Sequence, residues 1–188
     1  MQGWLDIPLN REGRIQARAV ARRLQSESID VIYSSDHRRA LLTAKHIASF
    51  HGLKPKTSRA LRERRMGIFE GWQWDSEQDQ VRNAFWQKRE QALAERNYDW
   101  KAEGEESMNE HFQRVHRHMN RLELRHNTGT ILIVSHGATI NRILEHYQVR
   151  QMHDPYISFG NTAVTILEKV NNIYQATLLN DTSHVEGL

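Results

Sequence analysis

The stretch I-L-I-V-S-H-G-A-T-I-N-R-I-L, Ile131 to Leu144, decides the fold. Four consecutive apolar residues, Ile131 to Val134, are too few for a helix and suit a strand buried on both faces, as in a parallel sheet with helices on either side. They read as a central strand. Ser135, His136 and Gly137 follow at its carboxyl end, and Ala138, Ile140, Ile143 and Leu144 then fall at helical spacing. Open α/β sheets bind ligands at such a turn, so His136 is placed at the mouth of a site. Gly137 lets the backbone approach a ligand, and the first free N–H groups of the following helix would face an anion such as phosphate.

Working outward, a second strand-turn-helix appears earlier in the chain. Ile29 to Tyr33 is a short strand, and Ser34, Ser35 and Asp36 start a helix to about Phe50. Arg38 and Arg39 sit in its first turn, against the helix dipole, which points to a ligand for one of them. Before it, residues 1–9 form a loop and Asn10 caps a helix with Ile15, Ala19, Val20 and Leu24 as its apolar stripe. After it, Lys54 to Thr57 is a candidate edge strand. Leu61 to Trp74, L-R-E-R-R-M-G-I-F-E-G-W-Q-W, has no helical or strand period and reads as a structured active-site loop. Residues 75–100 form a helical excursion with little core of its own, read as a lid. A helix then runs to about His126 with Phe112, Val115, Met119 and Leu122 inward. At the end, Thr162 to Leu167 and Ile173 to Leu178 flank Asn171-Asn172 as an antiparallel hairpin at one side of the sheet.

With 188 residues the chain has room for one α/β domain. Lys and Arg total 26 against 23 Asp and Glu, a mild excess that does not by itself call for nucleic acid and suits a small anionic substrate. There is no cysteine, so cysteine-based redox and metal sites are excluded. No apolar run approaches the roughly 18 residues of a membrane span, and a cytoplasmic location is the default. His111, His116 and His118 do not share one helix face, which argues against a zinc site.

These residues carry a resemblance to the histidine phosphatase superfamily, in its phosphoglycerate-mutase-like branch, the one that includes small broad-specificity phosphatases. The matching blocks are Q-G-W-L-D-I-P-L-N-R-E-G-R-I-Q-A from Gln2, Y-S-S-D-H-R-R-A-L-L-T-A from Tyr33, L-R-E-R-R-M-G-I-F-E-G-W from Leu61, G-E-E-S from Gly104, V-S-H-G-A-T-I from Val134, F-G-N-T-A-V-T-I-L from Phe159 and L-N-D-T-S-H from Leu179. They occur in family order across nearly the whole chain. The resemblance implies a three-layer α/β sandwich with a mostly parallel central sheet. It makes His136 the second histidine of the phosphate pocket, Arg39 the pocket arginine, Glu63 the acid that protonates the leaving group, and Gln2 a residue lining the phosphate site. It further implies a small phosphorylated substrate, no metal or other cofactor, no nucleic-acid or membrane partner, and a homodimer as an open alternative.

One departure concerns the chemistry itself. Family members begin with an apolar strand ending in Arg-His-Gly, whose histidine becomes phosphorylated, and no Arg-His-Gly occurs in these 188 residues. The expectation is a single domain over residues 1–188, N-terminally truncated and lacking its first, central strand. Its function is that of a phosphomonoester phosphatase whose nucleophile is absent from this chain, leaving activity in doubt. The alternative is an inactive phosphate- or partner-binding relative, with a mutase less favoured. Whether burial or the neighbouring Arg62, Arg64 and Arg65 controls the Glu63 carboxyl is left open.

Overall fold

The computed structural model describes residues 1–72 and 80–188. Three parallel strands, β1 (Val31–Ser35), β2 (Lys56–Ser58) and β3 (Ile131–Val134), form a sheet in the order β2-β1-β3. Val31 pairs with Ile131 and Ser34 with Val134. β1, two residues later than the sequence predicts, is the central strand and is buried at all five positions. β3 is a correction: among the described strands it lies at the sheet's edge, and its four residues are only half-buried. The apolar run indicates a strand with covered faces, but it carries no information on how many neighbours the strand has.

Helices cover both faces. α1 (Arg11–Arg23) starts where the Asn10 side chain accepts a hydrogen bond from the Gly13 amide at 2.8 Å. α2 (Arg38–His51) ends at Gly52, whose φ of +63° is left-handed and suits glycine. Val20, Ala21, Leu24, Ala44, Ile47 and Ala48 of these helices pack on Ile32. On the other face α4 (Met108–Arg125) and α5 (Gly137–His146) bring Val115, Met119, Leu122 and Ile143 against Val31 and Tyr33. Successive β1 residues thus feed opposite cores, as the period of two requires. The result is the three-layer α/β arrangement read from the sequence.

The final hairpin, β4 (Val164–Val170) and β5 (Ile173–Asp181), turns at Asn171 and Asn172, whose φ values of +50° and +63° fit the turn expected there. It packs on the first core through Val164, Ile166 and Leu178. Among the described strands, however, it forms a separate two-stranded sheet, with β4 paired only to β5. A third cluster joins Met66, Phe69, Trp72 and Ala102 to Phe85 and Trp86 of α3 (Gln80–Ala94). This places the predicted excursion from Gln80 onward; Trp74 and residues 75–79 lie outside the described residues. No described helix is long and apolar enough to cross a membrane.

α4 differs from its sequence reading at one position. His111 is buried in the inward row, while Phe112 is only half-buried. The His111 Nε2 lies 3.0 Å from the Thr139 hydroxyl, so a polar pair crosses between the two helices. His116 instead meets His146, and His118 lies edge-on to Tyr33, so the three histidines go to different partners. The helix begins with a capping box in which Ser107 and Glu110 satisfy each other's amides at 3.1 and 2.9 Å. Ser107→Ala is expected to lower stability by about 1–2 kcal/mol, read as an earlier urea midpoint with an unchanged slope.

Candidate active site

Because β1 and β3 are parallel neighbours, the turns after them open at the same sheet edge. His136 ends the β3 turn and its Nε2 lies 2.9 Å from the Ser35 hydroxyl at the end of β1. Arg39 stands in the first turn of α2, where its guanidinium donates to the carbonyls of Leu5 at 2.7 Å and Gly3 at 3.0 Å. Its charge reaches both His136 and Glu63. Glu63 accepts hydrogen bonds from the amides of Arg64 at 2.7 Å and Ala138 at 3.3 Å, the latter in the first turn of α5. Three side chains from distant parts of the sequence are therefore brought together.

Gln2 and Gly137 fare differently. Gln2 is exposed on the opening loop, next to the Gly3 carbonyl that holds Arg39. Gly137 is approached closely by the Tyr156 hydroxyl, which lies 3.4 Å from where a Cβ would stand. The opening loop is locked to the 61–72 segment. Trp4 donates its indole N–H to the Glu63 carbonyl at 2.8 Å and its amide to the Glu70 carboxylate at 2.8 Å. Glu70 also accepts from the Met66 amide at 3.1 Å, so it serves as a clamp between the two segments.

The geometry answers the question of the Glu63 carboxyl. Arg62 is turned to Asp36 in a two-pronged pair at 2.7 Å for each bond. Arg64 pairs with Glu105 at 2.8 Å, and Arg114 pairs with Glu106 at 2.7 Å. With these guanidiniums engaged elsewhere, burial is the largest influence and raises the Glu63 carboxyl above the usual carboxylate range, against two amide hydrogen bonds and the charges of Arg64 and Arg39. His136 moves the opposite way, down to about 3, through burial first and then the charges of Arg39 and His37. The resting site holds a carboxyl inclined to keep its proton and an imidazole inclined to stay neutral.

His37 was not singled out by sequence, since S-S-D-H-R-R reads as turn and cap residues. Its ring lies edge-on to His136 with centroids 5.4 Å apart, and both ring nitrogens are buried without a hydrogen-bond partner among the described residues. Asp36 and Tyr156 were likewise invisible as site residues, because their roles arise only from contacts distant in sequence. The Asp36–Arg62 pair does leave one signal: oppositely charged residues lie in two blocks that both precede or follow a strand at the same sheet edge.

A pH consequence follows from the two depressed histidines. His111 is held well below its ordinary value by burial, and His136 near 3. Between the unfolded value of about 6.5 and those lower values the unfolded chain binds the protons that the folded chain refuses. Their contribution to stability is complete above about pH 6.5 and is lost as pH falls through that window. Imidazole resonances of His136 are expected to stay in the neutral position at pH 5, with the urea midpoint already declining between pH 6.5 and 5.

Comparison with known proteins gives the same outline. The family model described as histidine phosphatase superfamily (branch 1) matches residues 1–182. Phosphoglycerate mutase-like protein 4 of Arabidopsis thaliana is 32% identical over 190 residues, covering 99% of this chain and 80% of that protein. Among solved structures, Bacillus stearothermophilus YhfR superposes with a TM-score of 0.85 at 28% identity, covering 99% of this chain and 91% of that one. A mutant phosphoserine phosphatase from Entamoeba histolytica in complex with phosphoserine superposes with a TM-score of 0.82 at 25% identity, covering 98% and 90%.

Proposed function

Since the chain belongs to the histidine phosphatase superfamily, we propose that its site handles small phosphomonoesters by the phosphohistidine route. Arg39 and His136 hold the transferring phosphoryl group, and Glu63 protonates the departing oxygen. The observation that carries this reading is the convergence of Arg39, His136 and Glu63 at one sheet edge, with Glu63 raised by burial. A phosphoryl group in transfer spreads charge over its equatorial oxygens, so a planar guanidinium and an imidazole N–H stabilise it electrostatically. His136 is neutral at rest, and a phosphate dianion beside it would favour its charged form. Phosphoserine bound to one neighbour supports the substrate class.

The covalent step needs an imidazole nitrogen in line with phosphorus, opposite the leaving oxygen. These 188 residues contain no Arg-His-Gly, and His136 is committed to Ser35. The outer edge of β3, unpaired among the described strands, would accept a parallel strand delivering such a histidine to the same edge as His136. The 188-residue chain alone is expected to show negligible turnover of an aryl phosphate. A version extended ahead of Met1 by an apolar strand ending in Arg-His-Gly is expected to be active, with activity that survives a chelator. Turnover by the short chain that vanishes in His136→Ala would overturn these roles.

The same absence favours a second reading, a relative that binds phosphate or a partner without turnover. The extended version separates the two, because it would then bind phosphate and remain inactive. Glu63 has its own test in an active version. Glu63→Gln is expected to slow esters with poor, alkoxide-like leaving groups by roughly 10²–10⁴-fold and activated aryl phosphates much less. Equal losses for both would remove Glu63 from proton transfer.

A further inference from the structure

One buried titratable side chain at the site has no task in the chemistry above. His37 is only 2% exposed, and neither of its ring nitrogens has a hydrogen-bond partner among the described residues. A neutral imidazole carries one N–H donor and one bare acceptor. Burying both without partners destabilises the fold, and a leucine would fill similar space without that penalty. No backbone role offsets it. His37 immediately precedes α2, yet its side chain caps none of the helix amides.

Position ties this imidazole to the phosphate site. The His37 amide donates to the Ser35 hydroxyl at 3.3 Å, the same hydroxyl that lies 2.9 Å from the His136 Nε2. The His37 and His136 rings stand edge-on, with centroids 5.4 Å apart. Arg39, two residues further on, acts with its charge on both imidazoles. Arg39 and His136 are half-buried and reach solvent, whereas His37 lies behind them. A group seated between Arg39 and His136 would come up against His37.

The surrounding charge calls for an anion in that place. The first turn of α2 contains no acidic residue, so nothing on the helix itself answers its positive end. Two carboxylates act on His37 from outside the helix, and both are already held: Asp6 by Arg38 at 3.1 Å and Asp36 by Arg62 at 2.7 Å. Arg39 bonds only to the uncharged carbonyls of Leu5 and Gly3 among the described residues. Burial first, then the charges of Arg39 and Arg62, hold His37 below its ordinary value against Asp6 and Asp36. The resting imidazole is neutral, and a phosphate dianion beside it would favour the charged form.

The structure assigns His37 as a further ligand of the phosphoryl group, donating a ring N–H to a phosphate oxygen alongside Arg39 and His136. The assignment deepens the phosphatase reading and rests on it. A phosphate oxygen is a charged acceptor, and in a site of low dielectric its bond to a buried N–H is strong. The unpaired nitrogens of the resting protein then have a partner that arrives with the ligand.

Binding of inorganic phosphate tests this without requiring turnover. Calorimetric titration of the native chain gives the affinity, and the imidazole nitrogen resonances of His37, assigned through its own backbone, report whether the ring takes part. Those resonances are expected to shift with the same half-saturation as the calorimetric curve. His37→Leu is expected to bind phosphate roughly tenfold more weakly, the range of one hydrogen bond to a charged group. The same substitution is expected to raise the urea midpoint, because it removes two buried, unpaired nitrogens. A residue that only packs would not move affinity and stability in opposite directions. Unchanged phosphate affinity in the leucine variant would overturn the assignment while leaving the phosphate site standing. His37 resonances unmoved at saturating phosphate would also overturn it, and that measurement needs no variant to fold. Failure of the native chain to bind phosphate at all would remove the phosphatase reading itself.

Discussion

The parallel pairing of β1 with β3 is the constraint on which the site depends. Four residue pairs, from Val31–Ile131 to Ser34–Val134, bring two strand ends about 100 residues apart in sequence to one edge. The register is fixed by packing, because Ile32 fills the core under α1 and α2 while Val31 and Tyr33 fill the core under α4 and α5. A slip of one residue would exchange these faces and move His136 away from Ser35.

Around that edge the charges are sorted by partner. A carboxyl among many arginines would ordinarily ionise, yet Arg62, Arg64 and Arg114 are each held by another acid. The Arg114 guanidinium also collects the carbonyls of Ala60, Arg62 and Glu63, which shapes the segment carrying Glu63. Gly67, at φ +54°, lets the same segment press against the backbone of Glu103 and Glu105, where a side chain would collide. Positioning and charge control are thus supplied by one set of arginines and one tight backbone contact.

Much of this was legible in the sequence. The S-H-G turn, the Asn10 cap, the Asn171-Asn172 hairpin and the arginines after β1 all depend on neighbours within a few residues. The joint placement of His136 and Arg39 followed from two strand-turn-helix units sharing a sheet. What escaped depends on partners far away in the chain. Nothing local says that β3 has one neighbour among the described strands, that His111 and not Phe112 faces inward to meet Thr139, or that His37 lies against His136. The direction of the Glu63 shift was also beyond reach, because it depends on where three neighbouring guanidiniums point.

The edge of β3 has a consequence for how the molecule behaves in a crowd. Ile131 to Val134 carries no charge, proline or bulge to discourage a visiting strand. β4 is better protected, since its pairing is irregular near Val164 and Ile166 and its far end carries Lys169. For backbone hydrogen bonds between copies, β3 is thus a more open edge than β4. Because His136 follows this strand by two residues, a chain that polymerised in this way would bring a neighbouring copy against the turn that carries His136.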